Sequence, residues 1–580
     1  SQRIPENVEW LVKRMRPEDM LIPVHLAGSL KEDLLKHLWW DKSWLKSKSI
    51  IDKCPDMVRI PLTDSGNRAL HVAVRGGRLD IVNELVKRMR PEDMLIPNSS
   101  GDTALHLAAR EGRLDIVNEL VKRMRPEDIQ IQNSSGETAL HVAAARYNGL
   151  DIVKELVKCM RPEDMLIPNS SGKTALHVAA ARYNGLDIVK ELVKCMRPED
   201  MLIPNSSGDT ALHLAAREDM LDIVNELVKR MRPEDMQIPN SSGETALHVA
   251  AARYNGLDIV KELVKCMRPE DMLIPNSRGD TALHLAAREG MLDIVNELVK
   301  RMRPEDMLIP NSSGETALHV AAARYNGLDI VKELVKCMRP EDMLIPNSSG
   351  ETALHVAAAR YNGLDIVKEL VKCMRPEDML ITNSSGDTAL HLAAREDMLD
   401  IVNELVKRMR PEDMQIPLTP LNYRKDTVLH VAAWRDRLDI VNELVKHVRP
   451  EDMRIPNSDG YTALHIAVMR ENLEIVNELV KRMRPEDLLI PLNCSGDRVL
   501  HVAVRYDRLD IVNVLVKRMR QKDMLIPNSD GMLPVHLAAA EYDRPNRSMV
   551  DILSSRKVID KMDHKDIEQL FFMTIRINMF

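Results

Sequence analysis

A histidine that returns at a nearly fixed interval is the residue in this sequence best suited to chemistry. It closes a Thr-Ala-Leu-His tetrapeptide, or a close variant, and histidine is a common acid–base group and metal ligand. No second histidine, cysteine or acid accompanies it at metal-ligand spacing, so the pattern predicts a structural role. The fourteen copies are His71, His106, His141, His177, His213, His248, His284, His319, His355, His391, His430, His465, His501 and His536.

Five of the seven cysteines share one repeated position, which other copies fill with arginine, as at Arg123. A position that accepts arginine is expected to be partly exposed. Successive copies are separated by about a helix diameter, roughly 10 Å, which exceeds the reach of a disulfide. The thiols are therefore predicted to be unpaired, which favours a reducing compartment. The five are Cys159, Cys195, Cys266, Cys337 and Cys373.

Other signatures of catalysis and ligand binding are missing from the sequence. It contains no CxxC pair, no nucleophile elbow and no phosphate-binding loop. Its 81 basic and 88 acidic residues are interleaved along the chain, so no basic stripe for nucleic acid is formed. We therefore predict a protein that is not an enzyme, with no cofactor, metal, small-molecule substrate or nucleic-acid partner.

A recurring Asn-Ser-Ser triplet bears on localisation. The triplet is an acceptor sequence for N-linked glycans if the chain enters the secretory route, and otherwise it reads as a polar turn tip. Since no signal peptide is visible, we predict a protein of the cytoplasm or of the cytosolic face of a membrane, and the secretory route stays open. The sites are Asn98, Asn133, Asn169, Asn205, Asn240, Asn311, Asn347 and Asn383.

The elements that must position these residues are pairs of helices. After Thr103 an Ala/Leu-rich run predicts a short first helix that ends at Gly112. From Leu114 to Met124 apolar residues fall at the spacing of one helix face, which predicts an amphipathic second helix. The histidines recur every 35 or 36 residues, with one step of 39, and this period is typical of a solenoid of helix pairs.

The segment GDTALHLAAREGRLDIVNELV closely resembles the ankyrin repeat. The resemblance implies helix-turn-helix units joined by finger loops, in which the histidine links adjacent units by hydrogen bonds. The connector RPEDMLI followed by NSSGETALHVAA is most similar to plant ankyrin proteins of the accelerated-cell-death type. That narrower resemblance implies a protein partner and a role in defence and cell-death signalling, through a membrane domain that is absent from this chain.

We predict an all-α ankyrin-repeat solenoid, a curved superhelix of about fifteen repeats. The predicted boundaries are 1–23 for a partial N-terminal repeat, 24–60 for a degenerate Trp-rich repeat or cap, 61–416 for regular repeats, 417–545 for divergent repeats with a long finger at 417–427, and 546–580 for a C-terminal capping segment.

Most of the tryptophans and all three phenylalanines lie toward the two ends of the chain. Their first expected role is to cover the open ends of the stack, as terminal repeats must do. The alternatives are ligand stacking for the tryptophans and docking of a missing domain for the phenylalanines. They are Trp10, Trp39, Trp40 and Trp44 near one end, and Phe571, Phe572 and Phe580 at the other.

The near identity of the central copies bears on function. Surface positions recur unchanged from 106 to 391, and a block of five repeats is duplicated. We predict a non-enzymatic scaffold for protein–protein interaction, whose partner is another protein or a second copy. The alternative is a structural protein that assembles end to end into filaments through the half repeat left open at Val8.

A specific partner is expected where the repeats diverge. The segment 417–427 replaces the usual finger, is four residues longer and lacks its glycine. Trp434 stands where other first helices carry arginine, and Tyr, Trp and Arg dominate binding hot spots. The alternative is that Trp434 only packs against the long finger. The predicted partner-binding residues are Arg395, Tyr423, Arg424, Lys425, Trp434, Tyr461 and Met469.

Overall fold

The computed structural model describes residues 24–39, 44–409, 424–492, 495–540 and 546–578. The partial repeat predicted at 1–23 and residues 417–423 of the long finger lie outside this part of the chain. The chain divides into two compact units, residues 1–277 and 278–580. Across the described ranges both units consist of helices and turns without β-strands, which confirms the all-α class.

The first unit contains seven helix pairs in its described residues. Its first helices are Val24–Trp39, Ala69–Arg75, Ala104–Glu111, Ala139–Ala144, Ala175–Ala180, Ala211–Arg217 and Ala246–Ala251. The second helices are Trp44–Lys53, Leu79–Val86, Leu114–Val121, Leu150–Cys159, Leu186–Cys195, Leu221–Val228 and Leu257–Cys266. The short turns after them are Pro55–Val58, Pro91–Leu95, Pro126–Ile129, Pro162–Leu166, Pro198–Leu202, Pro233–Gln237 and Pro269–Leu273.

The second unit contains eight helix pairs in its described residues. Its first helices are Ala282–Glu289, Ala317–Ala322, Ala353–Ala358, Ala389–Arg395, Val428–Trp434, Ala463–Met469, Val499–Arg505 and Pro534–Ala540. The second helices are Leu292–Val299, Leu328–Cys337, Leu364–Cys373, Leu399–Arg408, Leu438–Leu444, Leu473–Arg482, Leu509–Arg518 and Arg547–Leu553. Short turns follow at Pro304–Leu308, Pro340–Leu344, Pro376–Leu380, Asp452–Arg454, Pro485–Leu489, Gln521–Leu525 and Arg556–Ile559, and His564–Asn578 ends the unit.

Small and branched apolar residues form the core of each stack. In the repeat after Thr103, Leu105 and Ala108 are buried on the first helix, and Ile116 and Leu120 are buried on the second. Within each unit, the first helices of neighbouring repeats contact each other, and so do most of the second helices. Because each repeat buries its apolar face only against its neighbours, the sequence period determines the stacking.

Proline and aspartate follow most of the second helices in the described residues and begin the connector. Pro126 lacks an amide hydrogen and opens a helical turn, where this missing donor costs nothing. The Asp128 carboxylate accepts the Arg125 backbone N–H at 2.9 Å, and the Arg125 guanidinium lies 3.1 Å from the same carboxylate. The repeated Arg-Pro-Glu-Asp motif therefore closes its own turn.

The first unit begins with a helix pair that covers the regular repeats largely with aliphatic side chains. Leu34 and Leu38 of the helix Val24–Trp39 are buried, and this helix contacts Ala69–Arg75. Trp44 lies beneath the Arg88 guanidinium, 5.3 Å from the ring centre. Trp39 is exposed and lines a cavity of about 430 Å³. Trp10 and Trp40 lie outside the described residues.

The second unit ends with the helix His564–Asn578, close to the predicted capping segment. Leu570 of this helix is buried, and the Asp566 carbonyl accepts a 3.0 Å bond from Nε2 of His536. Phe571 and Phe572 are exposed, so they do not cover the end of the stack. The second helix of the last repeat ends at Leu553, where Ser554 bonds back to the preceding turn.

Candidate functional site

In most of the described repeats the recurring histidine joins its repeat to the next, whereas Nε2 of His391 and of His465 has no hydrogen-bond partner. Nδ1 of His106 accepts the Thr103 backbone N–H at 3.2 Å and lies 2.8 Å from the Thr103 hydroxyl. Nε2 of His106 donates to the Glu137 carbonyl of the next finger at 2.8 Å. Since Nδ1 must accept, the ring is neutral, and burial lowers the pKa of His106. The geometry fits the structural role predicted from the sequence.

The asparagine of each Asn-Ser-Ser finger is also structural. Oδ1 of Asn133 accepts the backbone N–H groups of Ser135 and Glu137 at 2.9 and 3.0 Å. Its Nδ2 donates to Oδ1 of Asp102, 31 residues earlier, at 2.9 Å. Asn133 is buried rather than being a polar turn tip, because its amide holds two fingers together. The nitrogen that would carry a glycan is used in this bond.

The cysteine position is partly open to solvent. Among the described residues Cys195 and Cys373 are exposed, Cys159, Cys266 and Cys337 are half-buried, and all five thiols are free. Burial raises the pKa of Cys159 above its ordinary value, so this thiol is not an activated nucleophile. In the same part of the chain, no three His, Cys, Asp or Glu side chains form a group that could hold a metal ion.

Five of the seven predicted partner-binding residues line one cavity in the second unit. It has a volume of about 500 Å³ and lies between the fingers and first helices of three consecutive repeats. We call it the Trp434 cavity. Its lining residues are Ser385, Asp387, Arg395, Arg424, Asp426, His430, Val431, Trp434, Arg435, Asn457, Asp459, Tyr461, Ile466 and Met469.

Trp434 is the last residue of the first helix Val428–Trp434 and is 49% exposed. The Arg470 guanidinium lies over its ring, 5.6 Å from the ring centre. Arg470 is held in turn by Asp436, with 3.0 Å between Nη2 and Oδ2. The ring is therefore partly covered by the next repeat but keeps about half of its surface open to the cavity.

The neighbouring repeats supply Arg395, Tyr461 and Met469, all half-buried. Arg395 donates to Oδ2 of Asp387 at 2.6 Å. The backbone of Tyr461 is fixed by its own repeat, since its N–H bonds to Oδ1 of Asn457 at 2.9 Å. Tyr461 also supplies the carbonyl that accepts Nε2 of His430 at 2.8 Å. The Tyr461 ring is thus presented from a rigid finger.

The described end of the long finger keeps the register of a regular one. The Arg424 carbonyl accepts the Ser458 N–H at 2.7 Å, as the Ser100 carbonyl accepts the Ser134 N–H at 3.1 Å. Lys425 occupies the position of the finger glycine and adopts its left-handed backbone, with φ of 54°. Lys425 therefore adopts the backbone conformation of the glycine that this finger lacks. Lys425 does not line the cavity, and Tyr423 lies outside the described residues.

Replacing Lys425 with glycine is expected to stabilise the protein by about 1 kcal/mol, because only glycine adopts the left-handed conformation without steric cost. Urea unfolding followed by circular dichroism would measure the gain. Lys425→Ala is the matched control, since it removes the charge but keeps the strained backbone. Equal effects of the two substitutions would show that the side chain, and not the backbone conformation, determines stability.

Several lining residues were not predicted from the sequence. Asp387 and Asp426 are finger acids that recur in regular repeats, so nothing marked them as special. Val431 and Ile466 are core-type residues whose edges reach the cavity. Arg435 directly follows Trp434, and an exposed arginine beside an exposed tryptophan was the one available signal.

Comparison with known proteins agrees with the repeat geometry. A family model described as ankyrin repeats (3 copies) matches the chain in overlapping stretches from 25–133 to 429–526. No curated protein matches the chain, so the narrower resemblance to accelerated-cell-death proteins gains no support. No helix in the described residues has both the length and the apolar character needed to cross a membrane. Ankyrin repeats indicate a protein–protein interaction domain, generally a non-enzymatic scaffold. The chain belongs to the ankyrin-repeat family.

Proposed function

We propose that the Trp434 cavity binds a segment of a protein partner, with Trp434, Tyr461 and Met469 as its apolar contact surface. The observation that carries the proposal is that five residues from three repeats line one cavity of about 500 Å³. This volume lies within the range of roughly 300–1,000 Å³ that is typical of binding pockets.

Comparison with the regular repeats supports the proposal. In the repeats that carry both a finger acid and an arginine four residues after the histidine, these two residues form an ion pair, as Arg110 does with Asp102 at 3.0 Å. At the cavity Trp434 takes the arginine position beside Asp426, and in the next repeat Tyr461 and Met469 replace both partners. The other pairs are Arg217–Asp209, Arg288–Asp280, Arg395–Asp387 and Arg505–Asp497.

The chemistry of these substitutions is that of a protein interface. Tryptophan and tyrosine bury a large area with few rotatable bonds, and methionine adapts its shape to an apolar partner. Arg435 is exposed at the rim beside Trp434 and provides five donors for a partner's carboxylate or carbonyl groups. The partner segment that fits this cavity best carries an apolar side chain flanked by hydrogen-bond acceptors.

Trp434→Arg tests the proposal most cleanly, because it installs the residue that repeats such as the one with Arg110 carry at this site. Peptides selected from a random phage-displayed library on the natural chain, and counter-selected on Trp434→Arg, provide the probe. We expect selected peptides to bind Trp434→Arg about thirtyfold more weakly, a loss on the order of 2 kcal/mol. Failure to select any peptide that distinguishes the two proteins would contradict the proposal.

Trp39→Ala is the control for this measurement. Trp39 is also a half-exposed tryptophan, at 42% exposure, but it belongs to the first unit. Its removal is expected to leave peptide affinity unchanged. If Trp434 only packs against its own finger, Trp434→Ala will lower the melting temperature sharply while the selected peptides bind as before.

Two narrower predictions have no support beyond the sequence. Defence and cell-death signalling follows only from the accelerated-cell-death resemblance. End-to-end assembly follows from the repeated surfaces and predicts filaments of the purified chain in electron micrographs over a concentration series. Single particles at every concentration would contradict the filament prediction.

A further inference from the structure

The repeats of 36 residues carry a tyrosine that the partner-binding cavity does not use. It lies in the turn between the first and second helices, within the sequence Arg-Tyr-Asn-Gly. The side chains are 75–87% exposed, far more than Trp434. The five residues are Tyr147, Tyr183, Tyr254, Tyr325 and Tyr361.

The turn that carries each tyrosine is rigidly closed. Around Tyr147, the Arg146 N–H bonds to the Ala143 carbonyl at 3.1 Å, and the Gly149 N–H bonds to the Arg146 carbonyl at 3.3 Å. A Cβ atom on Gly149 would come within 1.9 Å of the Ala143 oxygen, so only glycine allows the turn. The tyrosine and the exposed Asn148 therefore project from a fixed backbone.

Four of the tyrosines form two pairs on adjacent repeats. Tyr147 and Tyr183 lie in the first unit, on repeats whose second helices contact each other. Tyr325 and Tyr361 repeat the arrangement in the second unit. Tyr254 has no such neighbour, because the repeats on either side of it in the sequence are of the 35-residue form. Packed helices are separated by about 8–10 Å, and from this we infer a similar spacing between the two tyrosines of a pair.

This spacing matches one turn of a polyproline II helix. Such a helix rises about 3.1 Å per residue with three residues per turn, so residues i and i+3 lie about 9 Å apart on one side. A β-strand of a partner has a repeat of about 7 Å on one face, which does not match. An α-helix uses its own carbonyls internally, whereas those of polyproline II stay free to accept bonds from tyrosine hydroxyls and asparagine amides.

We propose that each tyrosine pair is a docking surface for a proline-rich partner segment in the polyproline II conformation, with prolines three residues apart. Each tyrosine ring packs against one proline ring, and the hydroxyl and the adjacent asparagine bond to the peptide carbonyls. A rigid tyrosine beside an adaptable asparagine is the combination that antibody paratopes use for such contacts. The surface is separate from the Trp434 cavity and does not depend on it.

The test uses a fluorescent peptide of repeated Pro-Ala-Ala units and the full chain, with binding followed by anisotropy. We expect removal of both pairs, by Tyr→Ala at 147, 183, 325 and 361, to weaken binding about tenfold. Tyr254→Ala is the matched control and should change affinity by less than about twofold. Circular dichroism verifies that the variants remain folded.

Two comparison peptides sharpen the test. A peptide with the same number of prolines, placed four residues apart with alanines between them, should bind more weakly, because its rings no longer face one side. A helical peptide with leucines seven residues apart presents a similar spacing on a different backbone. The proposal would be overturned if the helical peptide bound preferentially or if Tyr254→Ala lost as much affinity as the variant without the pairs. It would also be overturned if removing the pairs had no effect on affinity.

Discussion

Unfolding at pH 4.5 is expected to require much less urea than at pH 7, because protonation of the buried histidines favours the unfolded chain. Burial lowers the pKa of His71, His177 and His501 to about 4, and that of His465 to about 3. In an unfolded chain these rings titrate near the ordinary value of about 6.5. The buried histidines therefore contribute fully to the free energy of unfolding above pH 6.5, and this contribution falls as the pH drops toward 4.

The effect is large because the network recurs. One histidine whose pKa falls from about 6.5 to about 4 on folding lowers the free energy of unfolding at pH 4 by roughly 3 kcal/mol, relative to neutral pH. Burial also lowers the pKa of the matching histidines in other repeats, among them His106, His213 and His319. Nδ1 of His106 accepts the Thr103 N–H. In a protonated ring Nδ1 would carry its own hydrogen, which would point at this donor, so the hydrogen bond would be lost.

Urea titrations from pH 7 to pH 4.5 would measure this dependence. The carboxylates whose pKa is lowered, such as Asp102, lose their contribution only below their ordinary value near 4, outside this window. A midpoint that stays constant to pH 4.5 and falls only below it would assign acid sensitivity to the carboxylates and contradict the histidine account.

Replacing His319 with alanine is expected to destabilise its part of the second unit by about 3 kcal/mol. Nδ1 of His319 lies 2.9 Å from the Thr316 hydroxyl, and Nε2 donates to the Glu351 carbonyl at 2.9 Å. The substitution leaves these groups buried without partners and opens a cavity in the stack. Faster hydrogen exchange of the amides around residues 317–355 would report the local loss.

His447 provides the control for this substitution. It lies near the surface, and its ring has a 3.4 Å contact with Glu443 rather than a place in the network. His447→Ala is expected to change stability by less than about 0.5 kcal/mol. Similar losses in the two variants would show that the histidine network does not carry the stability assigned to it.

The repeat sequence predicts most of the fold because each signal is local. Thr103 and Gly112 mark the ends of a first helix, and the apolar spacing after Leu114 marks the second. The sequence also groups part of the cavity, because Trp434 and Met469 each lie four residues after the repeat histidine in consecutive repeats and therefore share one side of the stack.

Long-range contacts account for what the sequence did not predict. Asn133 resembles a solvated turn residue, but it is buried through a bond to Asp102 in the preceding finger. Lys425 adopts a backbone that local preferences disfavour, because the neighbouring fingers impose the register. The Arg470 guanidinium lies over the Trp434 ring and is also held by Asp436 of the preceding repeat. Each contact joins residues that are far apart in the sequence.

The ankyrin repeats form the fold, and we propose that Trp434, Tyr461 and Met469 bind the partner. A variant with Trp434→Arg, Tyr461→Asp and Met469→Arg converts all three to residues found at the same positions in regular repeats, as in the Asp102–Arg110 pair. Paired measurements of its urea midpoint and of its affinity for a selected peptide test the claim directly. We predict an unchanged or higher midpoint and at least about a hundredfold weaker binding. A lower midpoint with unchanged affinity would contradict it.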